Sequence, residues 1–553
     1  MNTDLLPRPA EWAAATRRPG RDLLAGVMVG LVALPLALGF GVSSGMGAAA
    51  GLVTAIVAGV VAAVFGGSNL QVSGPTGAMT VVLIPIIATY GADGVLVVGL
   101  LAGVILLGLA YARLGRFIRY VPIPVVEGFT LGIAVIITLQ QVPAALGVHV
   151  HADKALGLAG RAVTTWFQDP SWTAPCLTLA VTALILLVTR VRPSLPVALV
   201  AVALATGANA VLHLGAATIG ALPSRLPAPS FPAVPWGHLD ALVLPAVAVA
   251  ALAALESLLS ATVADAMSVG QRHDPDRELF GQGLANLASP LFGGIPATAA
   301  IARTAVNVRA GASTRLAAVT HAIVLLLIML VASRWVGEIP LAALAGVLIA
   351  TAAQMVRVSS VAVLLRATRG DAAVLVVTAA ATVVTDLVTA VILGLVVAGW
   401  FALRQTARTA RMEEEPLDGG DHDDEEHAVL DEQIVVFRLD GPLFFAAAHD
   451  FLLELSEVSN VRVVVLRMSR ITTIDATGAV VLGDTITRLE ARGISVLLSG
   501  VRDQQQHVLS SLGVYGRLAT AHHLFATTPE AITHARAHAA RVAHDPHTER
   551  EAS

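Results

Sequence analysis

The sequence predicts an α-helical polytopic membrane domain followed by a small cytoplasmic α/β domain. Three observations carry this. Hydrophobic residues make up 56% of the 553-residue chain and charged residues only 13%, against about 25% charged in soluble domains. Apolar runs of membrane-spanning length, about 20 residues, recur as far as residue 403. After Arg411 the chain turns acidic and then alternates short apolar strands with helical patterns.

Residues 1–21 form a cytoplasmic N-terminal segment that carries Arg17, Arg18 and Arg21. The run from Leu23 to Val42 is too long for a signal-peptide core and lacks a cleavage site, so it reads as a retained transmembrane helix. Further runs lie near 48–66, 94–111, 121–146, 172–190, 194–213, 239–267, 315–333, 339–356 and 371–403, the last long enough for two joined spans. Shorter apolar pieces lie near 75–89, 278–292 and 297–309. With these the transmembrane domain, 22–411, holds about 14 helical segments, several too short to cross alone. Arginines concentrate in alternate loops: Arg113, Arg116 and Arg119; Arg190 and Arg192; Arg272 and Arg277; Arg309 and Arg315; Arg357, Arg366 and Arg369. The positive-inside rule then places both termini in the cytoplasm. Residues 412–430 read as a solvated acidic linker. Residues 431–541 form the α/β domain, with strands at 433–439, 461–467 and 495–499 and helices at 446–457, 477–491, 503–512 and 528–541. Residues 542–553 are a C-terminal tail.

The stretch FGGSNLQVSGPTGAMTVV, Phe65 to Val82, interrupts two apolar runs with glycines, a polar extended piece and a Gly-Pro-Thr. It recurs at Phe292-Gly293-Gly294, followed by Ile295-Pro296-Ala297-Thr298-Ala299. About seven helices separate the two, an odd number, so the second half is inverted relative to the first. Interrupted helices at matching places in inverted repeats point to a transporter site at the bilayer midplane. Proline at the first helical position and small residues after it present backbone N–H groups to a ligand. Two such helix starts facing each other make a pocket for an anion.

Three stretches carry a family resemblance: GSNLQVSGPTGAMTV; LESLLSATVADAM, Leu255 to Met267; and ANLASPLFGGIPATAAIARTAVNVRAGASTR, Ala285 to Arg315. They resemble the SulP anion transporters, bacterial relatives of the sulfate, chloride and bicarbonate exchangers and of prestin. The C-terminal domain resembles their STAS domain, notably in RITTIDATGAVVL, Arg470 to Leu482. The resemblance implies a seven-plus-seven inverted repeat, shared with uracil permease, divided into core and gate domains and often dimeric through the gate. It implies secondary transport of sulfate, bicarbonate or a dicarboxylate, with H⁺ or Na⁺ as coupling ion and no other cofactor.

By that resemblance Thr76, Gly77 and Ala78 on the third helix and Thr298, Ala299 and Ala300 on the tenth line the anion site. Arg303 matches a basic position near the anion, and Glu256 and Ser260 on the eighth helix match coupling-ion positions, with Thr298 beside them. Glu256 also stands out physically, because a carboxylate deep in an apolar run is costly and marks function; Ser260, at i+4, shares its face. Arg303 reads as lying almost two turns into its helix, where it either supplies positive field or snorkels toward the cytoplasm. Glu127 is expected to pair with a loop arginine, and His149, His151 and Asp153 to be plain loop residues. The first helix, LPLALGFGV, lacks the Gln or Glu of many relatives. In the STAS domain Asp475-Ala476-Thr477-Gly478 replaces the Asp-Ser-Ser-Gly of phosphorylated stand-alone proteins; Thr477 retains one hydroxyl as a phosphosite candidate. No nucleotide-binding loop, zinc spacing or nucleophile triad stands out, which argues against an enzyme or an ATP-driven pump. Two other readings keep the same architecture: a nucleobase carrier, and a membrane-anchored sensor whose STAS domain binds a cytoplasmic partner.

Overall fold

A computed structural model describes residues 5–8, 12, 19–152, 154–192, 195–233, 237, 239–268, 271–385, 387–408, 411–415, 433–444 and 461–543. The predicted helix at 446–457, Asp153, most of the acidic linker and most of the tail lie outside these residues. The chain divides into two compact units, Met1–Ala398 and Gly399–Ser553.

The first unit opens with helices α1 (Pro19–Ser43) and α2 (Ala48–Phe65), then a two-residue strand β1 (Ser73–Gly74) and α3 (Gly77–Tyr111). Helix α3 merges two predicted segments, 75–89 and 94–111, and breaks between them at Gly91, φ 68°. A 3₁₀ turn (Gly115–Tyr120) leads to α4 (Ile123–Leu146), α5 (Ala155–Gln168), α6 (Thr173–Val191) and α7 (Val197–Val211). The second half runs α8 (Leu239–Met267), α9 (Pro275–Leu291), strand β2 (Thr298–Ala299), α10 (Ile301–Arg309), α11 (Leu316–Gly337), α12 (Leu341–Met355), α13 (Val358–Ala367), α14 (Arg369–Val384) and α15 (Leu387–Ala407). Among the described residues, nine spans are long and apolar enough to cross a bilayer, two of them running Gly77–Tyr111 and Leu341–Ala367. The expected count of about 14 included segments such as α10 that are too short to span about 30 Å.

These helices sort by packing into two groups. Helices α1, α2, α3, α8, α9, α10 and α11 pack on one another; α4, α5, α6, α7, α12, α13 and α14 form the other set, joined to the first mainly through α1 against α12 and α7, and α3 against α4. This matches the core-and-gate division that the resemblance implies. Large apolar side chains on the outside of the unit, among them Leu187, Leu244, Val331 and Trp335, are exposed, as lipid-facing positions are in membrane helices.

The second unit is a five-stranded sheet in the order β3 (Arg411–Glu415), β4 (Ile434–Leu443), β5 (Val463–Ile474), β6 (Ser495–Ser499), β7 (Leu524–Phe525). Strand β3 is antiparallel to β4; the other pairs are parallel. Helices α16 (Ala476–Ala491), α17 (Asp503–Ser511), α18 (Val514–Thr520) and α19 (Thr528–Ala543) complete it. Period-two alternation divides the strands between two cores. Val464 and Leu466 pack with residues of α16, α17 and α18, whereas Val463 and Val465 pack with Ala531, Ala535 and Ala539 of α19. Burial of both faces explains why β5 reads VVVL without polar alternation. The segment read as a linker from 412 begins in fact as strand β3, whose Glu413 pairs with Arg438 across the sheet.

Candidate functional site

Both breaks found in the sequence converge on one place. Strand β1 pairs antiparallel with β2, Ser73 opposite Ala299 and Gly74 opposite Thr298. Helix α3 starts from the first strand and α10 from the second. Irregular backbone at membrane depth must find partners within the protein, and here each break is held by polar side chains. Around the first, Glu278 accepts from Gly67 N at 2.9 Å, Asn307 donates to Leu70 O at 2.7 Å and Thr304 accepts from Val72 N at 3.1 Å. Around the second, Thr54 accepts from Ile295 N at 2.7 Å, Ser289 donates to Ile295 O at 2.9 Å and Asn286 brackets Ala297 with bonds of 2.9 and 2.8 Å. Gln282 donates to Ser73 Oγ at 2.7 Å. The first break leans largely on residues of the second half, and Thr54 of the first half supports the second.

Thr76 is the N-cap of α3: its hydroxyl accepts from Met79 N at 3.4 Å and donates to Glu256 Oε2 at 2.8 Å. Gly77 and Ala78 are the first two residues of that helix. A Cβ on Gly77 would lie 2.2 Å from Ile137 Cδ1 of α4, so any larger residue there would require the Ile137 side chain to move. Arg303 is 1% exposed and donates from Nη2 to Pro75 O at 2.7 Å. Its Nη1 is buried and has no hydrogen-bond partner among the described residues. It points at Gly74, where a Cβ would stand 2.5 Å away. Gly74 has φ +151°, which also disfavours a side chain. The Arg303 guanidinium and the Glu256 carboxylate interact electrostatically. Ser260 donates to Thr304 Oγ1 at 3.0 Å and thereby stabilises the break rather than meeting Glu256.

The structure departs from the sequence reading at Thr298, Ala299, Ala300, Pro75, Pro296 and Arg303. Thr298 and Ala299 do not start a helix; they form β2, and Thr298 donates to Ala253 O at 3.0 Å. Helix α10 begins at Ile301, with Ala300 as an N-cap that offers no side-chain bond. Neither Pro75 nor Pro296 is a first helical residue: Pro75 precedes the cap Thr76, and Pro296 precedes β2. Arg303 therefore lies in the first turn of α10, and its burial and its bond to Pro75 exclude snorkelling. The strand pairing supplies the reason, because it takes up the residues that a helix start would have used.

A polar stripe escaped the sequence reading. Glu278, Gln282, Asn286 and Ser289 recur along α9 at i, i+4, i+8 and i+11, so they share one face. That spacing in an otherwise apolar segment was the available signal. Elsewhere Glu127 approaches Arg357 Nε at 3.6 Å. Among the described residues no group of three or more His, Cys, Asp or Glu side chains could hold a metal. In the STAS-like unit Asp475 caps α16 by accepting from Gly478 N at 2.7 Å, and Thr477 is exposed in the first turn.

Comparison with known proteins agrees with this architecture. Residues 20–378 match the sulfate permease family and residues 427–531 the STAS domain. YvdB of Bacillus subtilis (strain 168) is 35% identical over 518 residues, covering 91% of this chain and 95% of that protein. The bicarbonate transporter BicA of Synechocystis sp. is 29% identical over 511 residues, covering 89% and 90% respectively. The solved transmembrane domain of a cyanobacterial BicA aligns with a TM-score of 0.61 at 29% identity, over 69% of this chain and 97% of that one. SLC26A9 shares the fold over 98% of this chain and 93% of its own, with a TM-score of 0.80 at 16% identity. These relatives are transporters rather than enzymes. The family match over most of the membrane unit, with a STAS match in the unit that follows, shows that this chain belongs to the sulfate permease family.

Proposed function

We propose that the chain is a secondary transporter of small anions of the sulfate, bicarbonate or dicarboxylate class, working by alternating access around the β1–β2 site. One observation carries the reading: two half-helix starts meet at a strand pair, with a buried arginine whose Nη1 has no hydrogen-bond partner among the described residues. A small anion at this point would meet the N–H groups of Gly77 and Ala78, the first-turn N–H groups of α10 and the Arg303 guanidinium. The sulfate transporter wording in the name of YvdB and the bicarbonate transport of BicA support the substrate class.

Glu256 supplies the coupling. Its carboxylate takes the Thr76 hydroxyl at the start of α3, where the anion also binds. Two negative charges there repel strongly in a low-dielectric site. A proton or a Na⁺ at Glu256 removes that repulsion, so cation and anion would move together as symport. We place the protein in the bacterial cytoplasmic membrane with both termini inside, on the arginine distribution. We also infer a homodimer, as the family resemblance implies, and a cytoplasmic partner for the start of α16, where Ala476 and Thr477 are exposed.

The deciding experiment is uptake of radiolabelled sulfate, bicarbonate and a dicarboxylate into proteoliposomes, with pH and Na⁺ gradients imposed separately and uracil as a competitor. Anion accumulation driven by one gradient is the expected result. Uptake of uracil alone would make the protein a nucleobase carrier, and no transport of any solute would make it a sensor.

A further inference from the structure

Helix α3 presents Gly77, Val81 and Pro85 on one face at i, i+4 and i+8. At Gly77 this face meets Ile137 of α4. Beyond that contact the two helices part, and a cleft of about 200 Å³ opens, lined by Val81, Pro85, Ile136, Gln140, Lys154 and Thr382 among others. The cleft thus shares α3 with the anion site, and its wall residues Val81 and Ile136 lie one turn or one residue from the Gly77–Ile137 contact. Its walls come from both helix groups: α3 and Ala248 of α8 from one, α4, α5 and α14 from the other.

Two polar groups in this cleft have no role in the site already described. Lys154 is the only lysine in the chain. It stands exposed as the N-cap of α5, and among the described residues no hydrogen bond or ion pair engages its side chain. Gln140 Oε1 is buried and has no hydrogen-bond partner among the described residues, and the amide Nε2 beside it is the donor that an anion in the cleft would meet. Thr382 and Thr385 spend their hydroxyl protons on Thr378 O and Ala381 O. Most of the remaining lining is apolar. A single cation in a low-dielectric cleft focuses its field and concentrates anions there.

We propose that this cleft is a second anion-binding site, an outer vestibule in which Lys154 and Gln140 hold a small inorganic or carboxylate anion before it passes the Gly77–Ile137 contact. Its outer position rests on the orientation and transport activity proposed above. Helix α4 starts beside the Arg113–Arg119 loop and ends at the cleft, so the two lie on opposite sides of the membrane. Movement of α4 against α3 would join the vestibule to the Thr76 site.

The test uses the full-length chain in right-side-out membrane vesicles, with Cys176→Ser to remove the native thiol. Gln140→Cys, or Val384→Cys as a second probe on another wall where the side chain is exposed, is labelled with a membrane-impermeant anionic thiol reagent and with its cationic counterpart. The anionic-to-cationic rate ratio should fall severalfold when Lys154→Gln is added, and the difference should shrink as salt screens the field. Lys154→Arg should keep the ratio. Equal ratios with and without Lys154, or no labelling at either probe position, overturn the vestibule whether or not the protein transports anions, so this failure is distinct from failure of the transport reading. In uptake assays with sulfate and bicarbonate, Lys154→Gln should raise KM severalfold from the outer side. An equal rise in inside-out vesicles would overturn the outer assignment.

Discussion

Thr76 and Glu256 lie 180 residues apart in sequence, yet the threonine hydroxyl donates to the carboxylate at 2.8 Å. The same oxygen caps helix α3. One hydroxyl thus links the geometry of the anion-facing helix start to the charge of the carboxylate that we assign to coupling.

Glu256→Gln should remove the dependence of uptake on the proton gradient, whether or not exchange survives. Uptake measured with an imposed pH gradient and no Na⁺ checks this; an unchanged gradient response would take Glu256 out of coupling. Thr76→Ser keeps both bonds and should transport nearly as wild type. Thr76→Val loses the cap and should cost about 0.5–2 kcal/mol of stability, read as a lower melting temperature in detergent.

Arg303→Ala should weaken anion binding by about 1–3 kcal/mol, which is roughly one to two decades in Kd. Arg303→Lys should rescue only part of this. A lysine carries its three donors on a single nitrogen, so it cannot occupy both the place that bonds Pro75 O and the Nη1 place near Gly74. Isothermal titration with the transported anion separates the three proteins.

Gly74→Ala should reproduce the Arg303→Ala affinity loss without touching a charge. The added methyl group would meet Arg303 Nη1 at 2.5 Å and Ala55 Cα at 3.2 Å, so the guanidinium must move. The double variant should then bind no more weakly than Gly74→Ala alone, because both changes remove the same interaction. Additive losses would show that Arg303 keeps its place in the alanine variant.

A soluble fragment that starts at Arg411 should stay monomeric, whereas one that starts at 427, where the STAS match begins, should associate or aggregate. The shorter fragment lacks β3 and leaves the β4 edge bare. Unpaired edges template association. Light scattering on the two fragments decides the point, and identical monomers would mean that β3 does not protect the edge.

Acidification should loosen the region around His523. Burial lowers the pKa of His523, and the nearby His538 and His534 add to this. The unfolded chain takes up the proton first, at about pH 6.5. This contribution to stability is therefore complete above that pH and is lost as pH falls through the lower folded value. Hydrogen exchange of the 523–543 amides in the full-length protein should rise over that window, and His523→Phe should flatten the response.

The sequence by itself determined the membrane class, the two interrupted helices and the change to an α/β domain. Each rests on local properties: an apolar run needs no partner to be recognised, and clustered Gly and Pro around a short polar piece mark an interruption between two such runs. Glu256 was legible for the same reason, as a lone carboxylate in an apolar run. Tertiary structure alone decided that Thr298 and Ala299 lie in a strand rather than at a helix start, because their partners, Ser73 and Gly74, are about 225 residues away. It also decided the direction of Arg303, which depends on a carbonyl exposed by the other break. Both outcomes follow from one requirement: backbone groups freed at membrane depth must be bonded. Which group finds which depends on how the two inverted halves fold against each other, and no local pattern encodes that.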